Sequence, residues 1–138
     1  MGRREPYAVR LLIVDRSGIL PWRVGRAAPL GTRVQVASSL REAARCVCDD
    51  PPDAVVVSVP RARLPWAQFQ RLCAGRHPPV PVLYESCLEE GALEASLAPA
   101  GGSALFLPKP SSPSVLRQAL AVLLAAARSG GASFDTPA

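Results

Sequence analysis

The stretch Asp49-Asp50-Pro51-Pro52-Asp53-Ala54-Val55-Val56-Val57-Ser58 decides the architecture. The two prolines end whatever helix precedes them, because proline has no N–H to give and disfavours the helical conformation in the residue before it. The valine triplet that follows has no polar face. A strand over 53–58 is therefore buried on both sides, the habit of a central strand in a parallel sheet. Upstream, Ser39-Leu40-Arg41-Glu42 has capping-box chemistry, and Leu40, Ala43, Ala44, Val47 and Cys48 then give one apolar helical face. Downstream, Pro65 suits the first position of a helix that turns Trp66, Phe69, Leu72 and Cys73 inward and stops at Gly75.

The same alternation extends to both ends of the chain. Val9–Val14 reads as a first strand ending at Asp15, and residues 17–30 as a helix kept short or kinked by Gly18, Pro21, Gly25 and Pro29. A weaker strand spans Arg33–Val36, a fourth Val80–Tyr84 and a fifth Ala104–Leu107. Ser86-Cys87-Leu88-Glu89 predicts a second capping box, with Ser86 as N-cap of an acidic helix reaching about Ala98. Ser112 and Pro113 open the last helix, whose apolar face is Val115, Leu116, Ala119, Leu120, Leu123, Leu124 and Ala127. Strict strand–helix alternation with right-handed crossovers predicts a three-layer α/β fold with a doubly wound, five-stranded parallel sheet of flavodoxin-like topology. Ligands of such sheets bind beyond the C-terminal strand ends, where Asp15, Ser58, Ser86 and Lys109 fall. The expected organisation is an N-terminal extension over 1–7, one domain over 8–127 and a flexible tail over 128–138.

Composition excludes several functions. The 138 residues are 49% hydrophobic and 20% charged, which suits one globular domain. No apolar run approaches the roughly 20 residues of a membrane helix, and no signal-peptide pattern opens the chain, so a soluble cytoplasmic protein is expected. Cys46, Cys48, Cys73 and Cys87 lack zinc-site spacing and His77 stands alone, so neither a metal nor a cofactor is expected. The net charge of +5 comes from fifteen arginines and one lysine against eleven acids. The arginines are scattered and only 5% of residues are aromatic, a poor match to a nucleic-acid-binding stripe. Trp22 and Trp66 read as core or rim packing.

The order of elements, the strand-end residues and the closing Lys109-Pro110 resemble a response-regulator receiver domain over residues 8–127. That resemblance implies two adjacent acids after strand one that hold Mg²⁺, a phospho-accepting aspartate ending strand three, a Ser or Thr after strand four and a lysine after strand five. It also implies a switch aromatic on strand five. Asp15, Lys109, Pro110 and Phe106 match this pattern. Arg16 stands where the second acid belongs and Ser58 where the acceptor belongs. Spacing to Lys109 puts Ser86 at the Ser/Thr position, whereas counting from Pro79 puts Tyr84 there.

Aspartyl phosphorylation needs a carboxylate nucleophile and a hard cation. A serine without a neighbouring base is a weak nucleophile, and a guanidinium repels Mg²⁺. The pocket of Asp15, Arg16, Ser58, Ser86, Lys109 and Pro110 is therefore expected to be degenerate, in a non-enzymatic pseudo-receiver. Arg16 either pairs with Asp15 in place of the metal or points into solvent. Function then passes to a surface. The helix 4–strand 5–helix 5 face, with Glu89, Glu90 and Glu94 on one side and Arg117 on the other around Phe106, is expected to bind a protein partner or a second copy. The module would act as a stand-alone adaptor or scaffold in bacterial signalling or protein localisation. The alternatives are a divergent receiver still modified at Ser58 and an arginine-mediated nucleic-acid-associated regulator.

Overall fold

Alternate side chains of the valine-rich strand divide the core in two. Val55 and Val57 face one apolar layer and Ala54 and Val56 the other, all at 0% exposure, so the strand is buried on both sides. A computed structural model describes residues 9–61, 64–87 and 91–129. Its elements alternate as β1 (Val9–Val14), α1 (Ile19–Ala27), β2 (Thr32–Ala37), α2 (Leu40–Asp49), β3 (Ala54–Ser58), α3 (Trp66–Ala74), β4 (Val82–Ser86), α4 (Ala92–Leu97), β5 (Ala104–Pro108) and α5 (Pro113–Arg128). The five parallel strands lie in the order β2-β1-β3-β4-β5, the doubly wound arrangement the alternation predicts. The extension over 1–7 and the tail beyond Ser129 lie outside the described residues, and α5 itself continues through Arg128.

One apolar layer joins α2, α3 and α4 to Val14, Val57, Tyr84 and Phe106; the other joins α1 and α5 to Ile13, Val56 and Leu83. Leu116, Leu120, Leu123 and Leu124 of α5 are each at most 1% exposed. Each such burial contributes about 1.5–3 kcal/mol. Val115, assigned to this face by periodicity, is instead 41% exposed on the flank of the helix.

Local chemistry explains the boundaries. Ser39 caps α2, its hydroxyl accepting from the Glu42 N–H at 3.1 Å, and Ser112 caps α5 through the Val115 N–H at 3.2 Å. Gly75 closes α3 by donating its N–H to the Arg71 carbonyl at 3.0 Å. At the opposite end of the sheet, Arg10 of β1 grips the end of α2, donating to both carboxylate oxygens of Asp50 and to the carbonyls of Asp50 and Pro51.

Several expectations are corrected. The fourth strand is Val82–Ser86, two residues later than Val80–Tyr84. Pro79 and Pro81 have no N–H for a ladder, and the Val80 N–H is taken by the Cys73 carbonyl at 3.0 Å. Ser86 thus ends a strand, and α4 over Ala92–Leu97 has Gly91, at φ +87°, as its N-cap. Glu89, the other half of the expected capping box, lies outside the described residues. Within α3, Leu72 is only half-buried, while Gln70 is 1% exposed. Gln70 is tolerated inside because it accepts from the Tyr84 hydroxyl at 2.7 Å and donates to the Gly101 carbonyl at 2.9 Å. Trp66 is buried, but Trp22 is 64% exposed, with the Arg26 guanidinium 5.1 Å from its ring centroid.

Candidate functional site

Parallel register brings the strand ends level. Val14 of β1 pairs with Val57 of β3, which pairs with Tyr84 of β4, and Tyr84 pairs with Phe106 of β5. The residues just beyond, Asp15, Ser58 and Lys109, consequently gather at one edge of the sheet. They share a cavity of about 820 Å³ with Arg16, Arg41 and Trp66. Ser86 and Pro110 do not line it.

Asp15 is 8% exposed, and its carboxylate is already engaged. The Ser17 N–H donates to Oδ1 at 3.1 Å, the Ser17 hydroxyl lies 3.0 Å from each oxygen, and the Leu20 N–H donates to Oδ2 at 3.0 Å. This ties down the start of α1, where the N-cap, Gly18 at φ +82°, has no side chain to offer. The signal was present in the sequence as an aspartate and a serine before a glycine at a helix start, but the strand-end reading of Asp15 passed over it. Arg16 is exposed and forms no ion pair with Asp15. Of the two expectations for Arg16 the structure has the solvent-facing one, because the carboxylate has its own donors.

Lys109 does not reach Asp15 either. Its Nζ donates to the Val59 carbonyl at 3.0 Å, and its N–H donates to the Ser86 carbonyl at 2.8 Å, fastening the β5 end across β4 to β3. The Lys109–Pro110 peptide is cis. Ser58, half-buried, lines the cavity and lies opposite Glu85 in the ladder.

The structure also separates Ser86 from Tyr84. Ser86 is the last residue of β4, at the level of the strand ends. Tyr84 lies two residues inside, 0% exposed, hydrogen-bonded to Gln70, edge-on to Trp66 at 6.0 Å and stacked on Phe106 at 5.6 Å. Burial pushes its hydroxyl well above the ordinary tyrosine range. Phe106 is half-buried behind it and borders a shallow cavity with Gln70 and Glu94. Arg117 is exposed on α5, the helix covering the opposite sheet face, so it does not share that cavity. Glu89 and Glu90 lie outside the described residues.

Beside the cavity lies a polar network that sequence reasoning missed. Glu85, 2% exposed, accepts from Arg23 Nη1 at 2.9 and 3.1 Å and from the Ser111 hydroxyl. Arg23 Nη2 also donates to the Ser111 carbonyl at 2.7 Å and lies 2.8 Å from its hydroxyl. The only clue in sequence was an acid within an otherwise buried strand, Val82-Leu83-Tyr84-Glu85. Among the described residues no group of three or more His, Cys, Asp and Glu side chains is placed to hold a metal ion, and no helix is long and apolar enough to cross a membrane.

No protein-family model matches the chain, and no curated protein matches it. Solved structures do. A response regulator from Thermotoga maritima superposes with a TM-score of 0.71 at 21% identity, over 86% of this chain and 98% of that one. A chemotaxis response regulator of Vibrio cholerae gives 0.70 at 20% identity, over 85% and 99% of the two chains. A candidate pilus assembly-related protein of Burkholderia pseudomallei gives 0.70 at 17% identity, over 98% and 100%. The chain thus has the flavodoxin-like fold of response-regulator receiver domains.

Proposed function

We propose that the chain is a pseudo-receiver, a protein-interaction module that does not depend on phosphorylation, acting as an adaptor or scaffold in signalling or protein localisation. The observation that carries this reading is the donor set at the strand ends. A receiver's Mg²⁺ needs clustered carboxylates with oxygens to spare. Here the cavity has one carboxylate, Asp15, whose oxygens are engaged by Ser17 and Leu20. Arg16 and Lys109 line the same space, and the acceptor position is Ser58. These residues do not fit a divalent cation, and without one an incoming phosphoryl group has neither its counter-charge nor a carboxylate nucleophile. The likeness to receiver domains supports a signalling role, and the likeness to a pilus assembly-related protein supports localisation or assembly. The contact surface is the one around Phe106 and Glu94, on the helix 4–strand 5–helix 5 side.

Two measurements test this together. The full chain is incubated with acetyl phosphate and Mg²⁺ and weighed intact; the pseudo-receiver reading expects no phosphate adduct. An adduct lost in Ser58→Ala would refute it and establish modification at Ser58. Affinity capture from the native lysate with the wild type and with Phe106→Ala then tests the surface. A partner retained by the first and lost by the second supports it; binding that survives the change removes Phe106 from the interface.

A further inference from the structure

The strand-end cavity that fits a metal poorly has the opposite electrostatic character. Its lining includes three cations, Arg16, Arg41 and Lys109, against the single carboxylate of Asp15, which is already hydrogen-bonded. Arg16 and Arg41 are exposed and pair with no acid among the described residues, so both guanidinium forks are available. Arg16 follows the end of β1 and Arg41 lies in the first turn of α2, so the two line the cavity from different elements. A concave surface with this excess of positive charge concentrates anions, and planar guanidinium forks match phosphate oxygens.

The rest of the wall is apolar, formed by Val14, Leu40, Pro60, Leu64 and Trp66. Trp66, 6% exposed, supplies the aromatic part of that wall. The volume of about 820 Å³ is in the range of small-molecule sites and far larger than a lone inorganic anion requires.

We propose that this cavity binds a mononucleotide, its phosphate between Arg16 and Arg41 and its base against the Leu64–Trp66 wall. The combination of a cationic rim and an apolar wall that includes an indole calls for one molecule with phosphate oxygens and a flat apolar surface. The inference goes beyond the interaction-module reading: ligand occupancy would take the place that phosphoryl transfer holds in a working receiver. Neither reading requires the other.

The experiment uses the full chain with Trp22→Phe, which leaves Trp66 as the sole indole. AMP, GMP, CMP and UMP are titrated against Trp66 fluorescence and thermal melting, with adenosine and inorganic phosphate as partial ligands. The expected result is a saturable change and a raised melting temperature with at least one mononucleotide, with both partial ligands weaker by about tenfold or more. Arg16→Gln combined with Arg41→Gln is expected to weaken that binding by about tenfold or more without altering the ligand-free melting temperature, since both side chains are exposed. Calorimetry on the wild type checks that Trp22→Phe is innocent. No response to any mononucleotide at millimolar concentration overturns the proposal. Binding that the arginine variants leave unchanged, or inorganic phosphate binding as tightly as the nucleotide, overturns it as well.

Discussion

Removing Arg23 strands a carboxylate inside the protein. In the pair with Glu85 the side chains are 22% and 3% exposed, so the acid is the more deeply desolvated partner. Arg23→Met keeps the aliphatic stem and the packing of α1 but deletes both Nη1 contacts to Glu85 and both Nη2 contacts to Ser111. Glu85 then retains only the Ser111 hydroxyl. Breaking a buried pair in this way costs about 3–5 kcal/mol, because the surviving charge keeps its desolvation penalty without its partner. Total stability of an ordinary domain is about 5–15 kcal/mol, so the variant should be severely but measurably destabilised. Adding Glu85→Leu removes the stranded charge, and apolar replacement of a whole buried pair is often neutral or better. The double variant should therefore be more stable than Arg23→Met alone. Urea unfolding followed by far-UV circular dichroism gives both values, with the denaturant slope checked for constancy. A loss below about 1 kcal/mol for Arg23→Met would mean that the pair is effectively a solvated surface contact. A double variant no better than the single one would equally refute the stranded-charge argument.

Three other outcomes are expected. Gly102 sits at φ +80°, and a Cβ there would come within 2.6 Å of the Ala74 Cβ. Gly102→Ala should therefore lower stability by at least about 1–2 kcal/mol in the same urea assay, and an unchanged midpoint would show that the turn relaxes freely. Asp15→Ala should cost about 1–2 kcal/mol through the lost tether on α1, with hydrogen exchange accelerated first at the Ser17 and Leu20 amides; unaltered protection would disprove the tether. Burial, and secondarily Cys48, pushes the Cys73 thiol from the ordinary 9.0 up to about 12. Its neutral form is the one the fold favours, so this contribution to stability is fully present below pH 9.0 and is lost as pH rises toward about 12. Mass mapping after iodoacetamide at pH 8 should accordingly find Cys48 and Cys87, both exposed, labelled in the native protein and Cys73 spared. Rapid labelling of Cys73 would contradict its packing.

The parts of the molecule legible from sequence are those where local chemistry and burial agree. The valine triplet could only be a doubly buried strand, and Ser39 and Ser112 announced helix starts that tertiary packing had no reason to move. Prediction failed where a residue's partner is distant along the chain. The fourth strand reads from its neighbours as ending at Tyr84, yet β4 runs on and pairs through Ser86 with Pro108 of β5. Glu85 lies beyond the expected end of the fourth strand, and its partners, Arg23 and Ser111, are 62 and 26 residues away. Gln70 likewise depends on Tyr84 and Gly101.

For the candidate site, sequence by itself determined which groups stand at the strand ends: one acid, a serine closing the third strand, a cation beside the acid and a terminal lysine. Strand order and right-handed crossovers require that gathering whatever the side chains do. Only the tertiary structure decided what those groups are free to do. It committed Asp15 to the start of α1 and Lys109 to the Val59 carbonyl, and it left Arg16 and Arg41 unpaired at the mouth of a cavity. Hydrogen-bond allegiance depends on distances of about 3 Å between elements, which no one-dimensional pattern encodes.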